Sequence, residues 1–177
     1  MSEVWKRWKN LEISNMGNVR FFGSKNEYPL CRKYVKTKNK NCKMWDGYNY
    51  IRFSNCNRYF PLHKICSQLF VNNPCPKNKF FKYVDHINGC RTDNRASNLR
   101  FVNAHLNSIN KDPRGIVFRL FKNGWRAQIS CKNRPTKKLG YFKSYFQAFE
   151  ACWQEKYKLF DELYEHYIKI YEQNLPH

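Results

Sequence analysis

The stretch that decides the fold runs from position 85 to position 110. It contains Asp85-His86-Ile87-Asn88-Gly89, then Asp93-Asn94-Arg95-Ala96-Ser97-Asn98-Leu99-Arg100, and then Asn107. Between positions 47 and 110 the only acidic residues are Asp85 and Asp93, in a chain with a formal net charge of +20. One of these scarce carboxylates stands beside a histidine, and the charge of the chain favours polyanions as partners. The stretch therefore indicates chemistry on a phosphodiester.

The periodicity around this stretch predicts alternating short strands and helices. In chain order the predicted elements are a strand at 48–54, a helix at 62–70, a strand at 80–84, a polar loop at 87–98, a strand at 99–102 and a helix at 104–110. Asp85 and His86 then lie at the end of a strand, and Gly89 allows the following loop to turn sharply. His63, on the apolar helix, is expected to be structural.

Phosphodiester hydrolysis needs a base for the attacking water and a cation for the phosphate oxygens. His86 is the natural base, because imidazole titrates near neutral pH. Asp85 offers a hard oxygen to Mg²⁺ or Mn²⁺, and Asn107 can bring a second protein oxygen to the same ion. The side-chain oxygen of Asn98 can accept from the second nitrogen of His86 and so fix its tautomer.

These motifs resemble the His-Asn-His/Asn (HNH) nucleases found among homing endonucleases, over roughly residues 47–110. The resemblance implies a ββα-metal finger with one Mg²⁺ or Mn²⁺ ion per site. It further implies His86 as the general base, Asp85 and Asn107 as metal ligands, and Asn98 as the residue that orients the base. The last motif position is Asn rather than His, a variant that the family uses, and His105 is the alternative ligand.

Both flanks carry resemblances of their own. Glu3-Val4-Trp5-Lys6 and Ile13-Ser14-Asn15-Met16-Gly17-Asn18-Val19-Arg20 are similar to a short nuclease-associated modular domain. Arg114-Gly115-Ile116, Trp125-Arg126-Ala127-Gln128-Ile129 and Leu139-Gly140-Tyr141-Phe142 resemble the Apetala/ethylene-response-factor DNA-binding domain. The expected domains are an N-terminal module with a basic loop at 1–46, the nuclease domain at 47–111 and the DNA-binding domain at 112–177. The expected fold class is α+β.

Turn signals predict the elements of these flanks. Two strands should surround a turn at 14–18, and residues 32–43 should form a solvated loop or lie along a phosphate backbone. After Pro113, strands are predicted at 116–121, 125–131 and 137–142, the first two joined by a hairpin at Asn123-Gly124. Ser144 and Gln147 form a capping box for a helix that reaches about Gln173. Its aromatic stripe from Phe146 to Tyr167 is expected to be core.

Strand alternation separates a core face from an outward face in the C-terminal sheet. If Ala127 and Ile129 pack on the helix, Arg126 and Gln128 point away from it, and Lys138 does likewise. The predicted DNA-binding residues are therefore Arg119, Arg126, Gln128 and Lys138, with Arg95 and Arg100 as phosphate-binding or salt-bridge groups. For Trp125, alternation favours a core position, whereas its family counterpart approaches DNA.

Charge and cysteine usage limit the partners. The chain has 33 Lys and Arg against 13 Asp and Glu, which is typical of a nucleic-acid binder, and double-stranded DNA is the expected partner. A merely basic soluble protein and an anionic-membrane binder are the alternatives. No transmembrane span and no obligate protein partner are evident. The eight cysteines stand singly without a CxxC pair, so neither zinc nor disulfides are expected, and a reducing intracellular compartment is indicated (host cytoplasm or nucleus if the chain is viral).

Two classes of function remain from the sequence. The first is a DNA endonuclease that depends on a divalent metal and is targeted by its flanking modules. The second is a catalytically silent DNA-binding regulator built from the same modules. An RNA-directed function is a weaker third possibility, because no strand carries an aromatic ribonucleoprotein-type motif.

Overall fold

The computed structural model describes residues 2–36, 43–74, 81–109, 116–119, 123–130 and 134–173. The chain divides into two compact units, Met1–Val102 and Asn103–His177. Across the described ranges, small antiparallel sheets alternate with helices, and the last helix is long. The predicted α+β class is confirmed. The bounds of the three predicted domains stay predictions.

The first unit opens with a three-stranded meander. Its strands are β1 (Trp5–Trp8), β2 (Leu11–Ser14) and β3 (Val19–Phe21), in the order β1-β2-β3. The sequence predicted two strands here, because the turn at Lys9 and Asn10 contains neither glycine nor proline. Lys9 nevertheless adopts a φ of 57°, and Trp8 pairs directly with Leu11 across this turn.

A second sheet follows in the order β4-β5-β6. Its strands are β4 (Cys31–Lys36), β5 (Lys43–Ile51) and β6 (Phe60–Pro61). The solvated loop predicted at 32–43 is wrong at both of its ends, which are strand, whereas residues 37–42 lie outside the described ranges. Lysines such as those on β4 are common in solvated loops. They suit an edge strand equally well, since charge on an edge opposes pairing with other chains.

The rest of the first unit carries the candidate site. Helix α1 (Leu62–Phe70) is confirmed where it was predicted, and it is followed by β7 (Tyr83–His86) and β8 (Leu99–Val102). Strands β7 and β8 pair antiparallel. One core joins the meander to this part, and its buried members are Leu11, Ile13, Val19, Ile51, Leu62, Ile65, Cys66 and Leu99. The N-terminal segment therefore packs with the site as one body.

The second unit contains a three-stranded sheet and a long helix. Its elements are α2 (Ala104–Ile109), β9 (Ile116–Arg119), β10 (Gly124–Ile129), β11 (Lys137–Phe142) and α3 (Tyr145–Gln173). The sheet order is β11-β10-β9, and Asn123 takes a φ of 43° in the predicted hairpin turn. The capping box is confirmed, because the backbone N–H of Gln147 donates to Ser144 Oγ at 3.2 Å. The backbone N–H of Ser144 in turn donates to Gln147 Oε1 at 3.3 Å.

The buried face of α3 includes Phe160 of the predicted aromatic stripe but otherwise differs from that stripe. Phe146 is 71% exposed and Tyr157 is 40% exposed. Among the side chains of the helix that the structure describes, the buried ones are Ala148, Cys152, Leu159, Phe160 and Leu163. At Ala148 and Cys152 small side chains can pack closely against the sheet, where Ala127 is fully buried, and the larger ring of Phe146 stays exposed.

Candidate active site

Asp85 and His86 are the last two residues of β7, and both are buried. Neighbouring residues of a strand point to opposite faces, so the Asp85 carboxylate and the His86 imidazole have different neighbours. Asp85 lies opposite Arg100 of β8, and Arg100 Nε donates to Asp85 Oδ2 at 3.0 Å. The chain turns immediately afterwards, where the backbone N–H of Gly89 donates to the carbonyl of His86 at 2.9 Å. The ion pair with Arg100 fixes the orientation of the Asp85 carboxylate.

The imidazole of His86 is held by an asparagine and by two rings. Its Nε2 lies 3.2 Å from Asn94 Oδ1, and the amide nitrogen of Asn94 donates to the carbonyl of Thr92 at 3.1 Å. The ring centroids of His63 and Tyr48 lie 5.3 Å and 6.0 Å from that of His86. Burial lowers the pKa of His86 below its usual value, so the imidazole is neutral at neutral pH. It can therefore accept a proton.

Asn98 has a different position from the one that was predicted. In place of the predicted bond to His86, its side-chain oxygen accepts from the backbone N–H of Asn88 at 3.0 Å. Its amide nitrogen donates to Asn88 Oδ1 and to the carbonyl of Asp93, each at 2.9 Å. Asn98 ends a short 3₁₀ turn (Ala96–Asn98), which directs its amide into the loop. Asn98 thus shapes the loop, and Asn94 holds the histidine.

Both arginines that were predicted as phosphate-binding or salt-bridge groups pair with carboxylates. Arg95 donates to both oxygens of Asp93, at 2.8 Å and 2.7 Å, and Arg100 donates to Asp85. The bond from Arg95 is the largest cause that lowers the pKa of Asp93 to about 2. The salt-bridge alternative therefore describes both arginines in this structure.

His63 lies against the candidate base. It is buried on α1, and its ring centroid is 4.8 Å from that of Tyr48. Within the described part of the chain, His63 Nδ1 is buried without a hydrogen-bond partner. Burial is the largest cause that lowers the pKa of His63 to about 3, and the neighbouring His86 and Lys64 act in the same direction. The site therefore contains two adjacent neutral imidazoles.

The N-terminal meander supports the loop that holds His86. The backbone N–H of Ala96 donates to the carbonyl of Asn15 at 2.8 Å. Gly17 has a φ of +83°, and a Cβ at this position would lie 3.0 Å from the carbonyl carbon of Asn94. Only a glycine fits such a close approach at positive φ. The turn after β2 thereby sets the position of Asn94.

The candidate ligands of the second unit lie on α2. Asn107 is half-buried there, and its backbone N–H donates to the carbonyl of Asn103 at 3.0 Å. His105 Nδ1 lies 2.8 Å from the hydroxyl of Tyr167 on α3. The proposed alternative ligand therefore has a partner within its own unit.

The predicted DNA-reading residues lie on neighbouring strands. Gln128 pairs directly with Lys138 after a register shift next to Ala127. Lys138 is exposed, whereas Arg126 and Gln128 are half-buried. Arg119 ends β9, and its side chain lies outside what the structure describes.

Trp125 contacts Tyr145 of α3, and the two ring centroids lie 5.1 Å apart. This contact agrees with a packing position for the tryptophan.

A divalent cation fits the donor chemistry of Asp85. Among the residues described, no three His, Cys, Asp or Glu side chains converge to hold a metal. The hard carboxylate of Asp85 suits an ion bound by few protein oxygens, with water and phosphate completing its shell. Asn107 has the oxygen chemistry to serve as a second ligand.

Sequence reasoning gave no role in the site to Asn94, His63, Tyr48 or Arg91. Asn94 and Asn98 are chemically identical, and only the loop conformation decides which one contacts His86. Arg91 Nη1 donates to the carbonyl of Asp46 at 2.9 Å, and its guanidinium carbon lies 5.1 Å from the centre of the Tyr48 ring. No local pattern indicates contacts between residues so distant in sequence.

The chain is similar to two proteins of Acanthamoeba polyphaga mimivirus, each named an uncharacterised HNH endonuclease. One is 28% identical over 158 residues, which cover 83% of this chain and 34% of the relative. The other is 29% identical over 124 residues, which cover 67% of this chain and 33% of the relative. The chain thus spans about one third of the length of these relatives. Their names support the HNH type at the level of the family.

No family profile and no solved structure match the chain. Within the described ranges, every helix is too short or too polar to cross a membrane.

Proposed function

We propose that this chain is a DNA endonuclease of the HNH type that hydrolyses phosphodiester bonds with one divalent metal ion. The observation that carries the proposal is the buried Asp85-His86 pair at the end of β7, in which a neutral His86 is held by Asn94. The net charge of +20 supports DNA as the substrate. The names of the mimiviral relatives agree with a nuclease.

In the proposed reaction His86 accepts the proton of the water that attacks phosphorus. Asn94 keeps the imidazole in one orientation, and burial keeps it neutral before the transfer. Asp85 and Asn107 would hold a Mg²⁺ or Mn²⁺ ion, which supplies a charge that stabilises the phosphate and the leaving oxygen. Arg100 orients the Asp85 carboxylate, and Asn98 maintains the loop between the two strands.

The sheet β11-β10-β9 is proposed to direct the nuclease to double-stranded DNA. Gln128 and Lys138 form a cross-strand pair, which places an amide and an ammonium together on one face. Amides and cations of this kind read base edges and phosphates. An Apetala-type domain remains the proposed identity of residues 112–177.

A catalytically silent DNA-binding regulator is the second candidate. The ion pair between Arg100 and Asp85 favours it, because a guanidinium bound to the carboxylate competes with a metal ion. Such a protein would bind DNA equally well with Mg²⁺ or with EDTA and would leave it intact.

Incubation with supercoiled plasmid, in the presence of Mg²⁺ or of EDTA, separates the two candidates. We expect cleavage that requires the metal and that falls by about 10²–10⁴-fold in His86→Ala, as for loss of a general base. DNA binding should survive. His166→Ala, which changes an exposed histidine of α3, is the matched control and should cut like the unmodified chain. Cleavage by His86→Ala at the unmodified rate would remove His86 from the reaction.

A further inference from the structure

Three arginines lie in the loop after His86 or directly beyond it, and their partners differ. Arg95 and Arg100 are ion-paired with Asp93 and Asp85. Arg91 is held instead by neutral groups, namely the carbonyl of Asp46 and the face of Tyr48. The bond to the carbonyl and the cation–π contact orient the guanidinium without neutralising its charge.

The backbone next to Tyr48 is shaped for this arginine. Gly47 has a φ of +87°, and a Cβ there would lie 3.0 Å from Arg91 Cδ. The aliphatic part of Arg91 therefore lies directly on the glycine, and any side chain at position 47 would push it away. Fixing an exposed arginine side chain costs conformational entropy. The two contacts and the close approach to Gly47 offset this cost and hold the guanidinium of Arg91 in place.

The position of Arg91 connects it to the candidate base. The ring of Tyr48 contacts both the Arg91 guanidinium and the His86 ring. The side chain remains exposed, so a ligand can reach the guanidinium.

We propose that Arg91 binds the non-bridging oxygens of the phosphodiester beside His86 and is a catalytic residue of this site. The inference rests on the proposed endonuclease function. A guanidinium presents parallel N–H donors that match the oxygens of a phosphate, and the Tyr48 and Asp46 contacts aim it before the substrate arrives. The charge then stabilises the phosphate as negative charge develops in the transition state.

The test compares Arg91→Gln with Arg52→Gln. Arg52 is also exposed, donates to a neutral oxygen (Asn57 Oδ1, 3.2 Å) and lies 5.4 Å from the centre of a tyrosine ring, that of Tyr59. Each variant removes one positive charge from a guanidinium that is held by a neutral oxygen and a tyrosine ring. We expect Arg91→Gln to lower kcat by about 10²-fold, as for loss of one preorganised donor. Arg52→Gln should keep a kcat close to that of the unmodified chain.

Binding to a DNA duplex gives a second measurement that needs no turnover. Arg91→Gln should reduce the slope of log K against log salt by about 1, the effect of one lost phosphate contact. Arg91→Lys keeps the positive charge but lacks the parallel N–H donors of a guanidinium. Its slope of log K against log salt should therefore equal that of the unmodified chain, whereas its kcat should fall. If Arg91→Gln does not fold, Arg91→Lys provides the test, because an unchanged salt slope together with a lowered kcat is expected only if the guanidinium contacts the phosphate.

The outcomes distinguish this inference from the proposed function. Cleavage by the unmodified chain with equal kcat for Arg91→Gln and Arg52→Gln would overturn the role of Arg91 and leave the endonuclease intact. If the unmodified chain binds DNA but never cuts it, the endonuclease proposal fails and the salt slopes decide about Arg91. A smaller slope for Arg91→Gln alone supports the phosphate contact, whereas equal slopes in both variants overturn it.

Discussion

The loop between β7 and β8 and the sheet β11-β10-β9 are both candidates for contact with DNA, yet they are built differently. In the loop the polar side chains of Asn94 and Asn98 are buried, and each bonds to specific partners. In the sheet, Lys138 is exposed, and Gln128 opposite it is half-buried. Buried polar groups must keep their partners, whereas exposed cations act mainly through charge. Substitutions that change the shape of the loop should therefore affect cleavage, whereas substitutions that change the charge of the sheet should affect DNA affinity.

Asn94→Ala should have the largest effect among these comparisons. It removes the oxygen that orients His86, and loss of an orienting partner typically costs about 10–100-fold in activity. Single-turnover cleavage of plasmid DNA is the measurement, with DNA affinity expected to stay normal. Asn55→Ala, at an exposed turn position, is the matched control. Equal cleavage by Asn94→Ala and the unmodified chain would show that the bond between Asn94 and His86 has no role in the reaction.

His63 should make the fold sensitive to acid. Its pKa is about 3 in the fold and 6.5 in the reference state, so the unfolded chain binds this proton first as the pH falls. The contribution of His63 to stability is complete above 6.5 and is lost progressively as the pH falls towards 3. One such group changes the free energy of unfolding by up to about 1.4 kcal/mol per pH unit.

Urea unfolding at about pH 7 and about pH 5 measures this effect. In His63→Gln the difference in the free energy of unfolding between the two pH values should shrink by up to about 2 kcal/mol, whatever the variant's absolute stability. His166→Gln should keep the difference of the unmodified chain. An unchanged pH dependence in His63→Gln would mean that His63 is not buried in the neutral form.

Gly17→Ala should be milder and should test whether the meander supports the site. The alternative glycine Gly23 also has a positive φ, of +73°, but a Cβ there would meet nothing within 4 Å. Both substitutions should cost about 1 kcal/mol for the left-handed backbone. Only Gly17→Ala should also reduce cleavage, by a few fold, because it displaces Asn94. Equal cleavage by the two variants would show that the meander does not position the loop.

Local patterns in the sequence were sufficient for several elements. The apolar spacing of α1, the hairpin turn at Asn123 and the capping box at Ser144 each depend on a few neighbouring residues, and the structure confirms all three. The motif also located the Asp85-His86 pair at the end of a strand. Not all contacts around this pair could be predicted, because some join residues far apart in sequence, such as Arg91 and the carbonyl of Asp46, which are 45 positions apart. Only the folded loop distinguishes Asn94 from Asn98.

The predicted buried face of α3 is wrong in part, at Phe146 and Tyr157, for a similar reason. Hydrophobic periodicity identifies the helix and its approximate apolar face, but the distance to the sheet decides which side chains fit. Ala148 and Cys152 are fully buried, whereas Phe146 is exposed at the first turn. The packing distance is a property of the assembled sheet and helix, and the helix sequence does not contain it.

Lys138→Ala should have the smallest effect and should sharpen the contrast with the loop. Lys138 is exposed opposite Gln128, so its ammonium can contact a phosphate while remaining hydrated. Its loss should weaken binding to all DNA sequences about equally, by less than about tenfold, and should reduce the salt slope by about 1. Single-turnover cleavage at saturating protein should be unchanged, because no atom of the loop moves. Lys158→Ala, on the exposed side of α3, is the matched control. If Lys138→Ala altered the preference for particular base pairs, the sheet would read sequence through an oriented contact, and the distinction between a shaped loop and a charged sheet would fail.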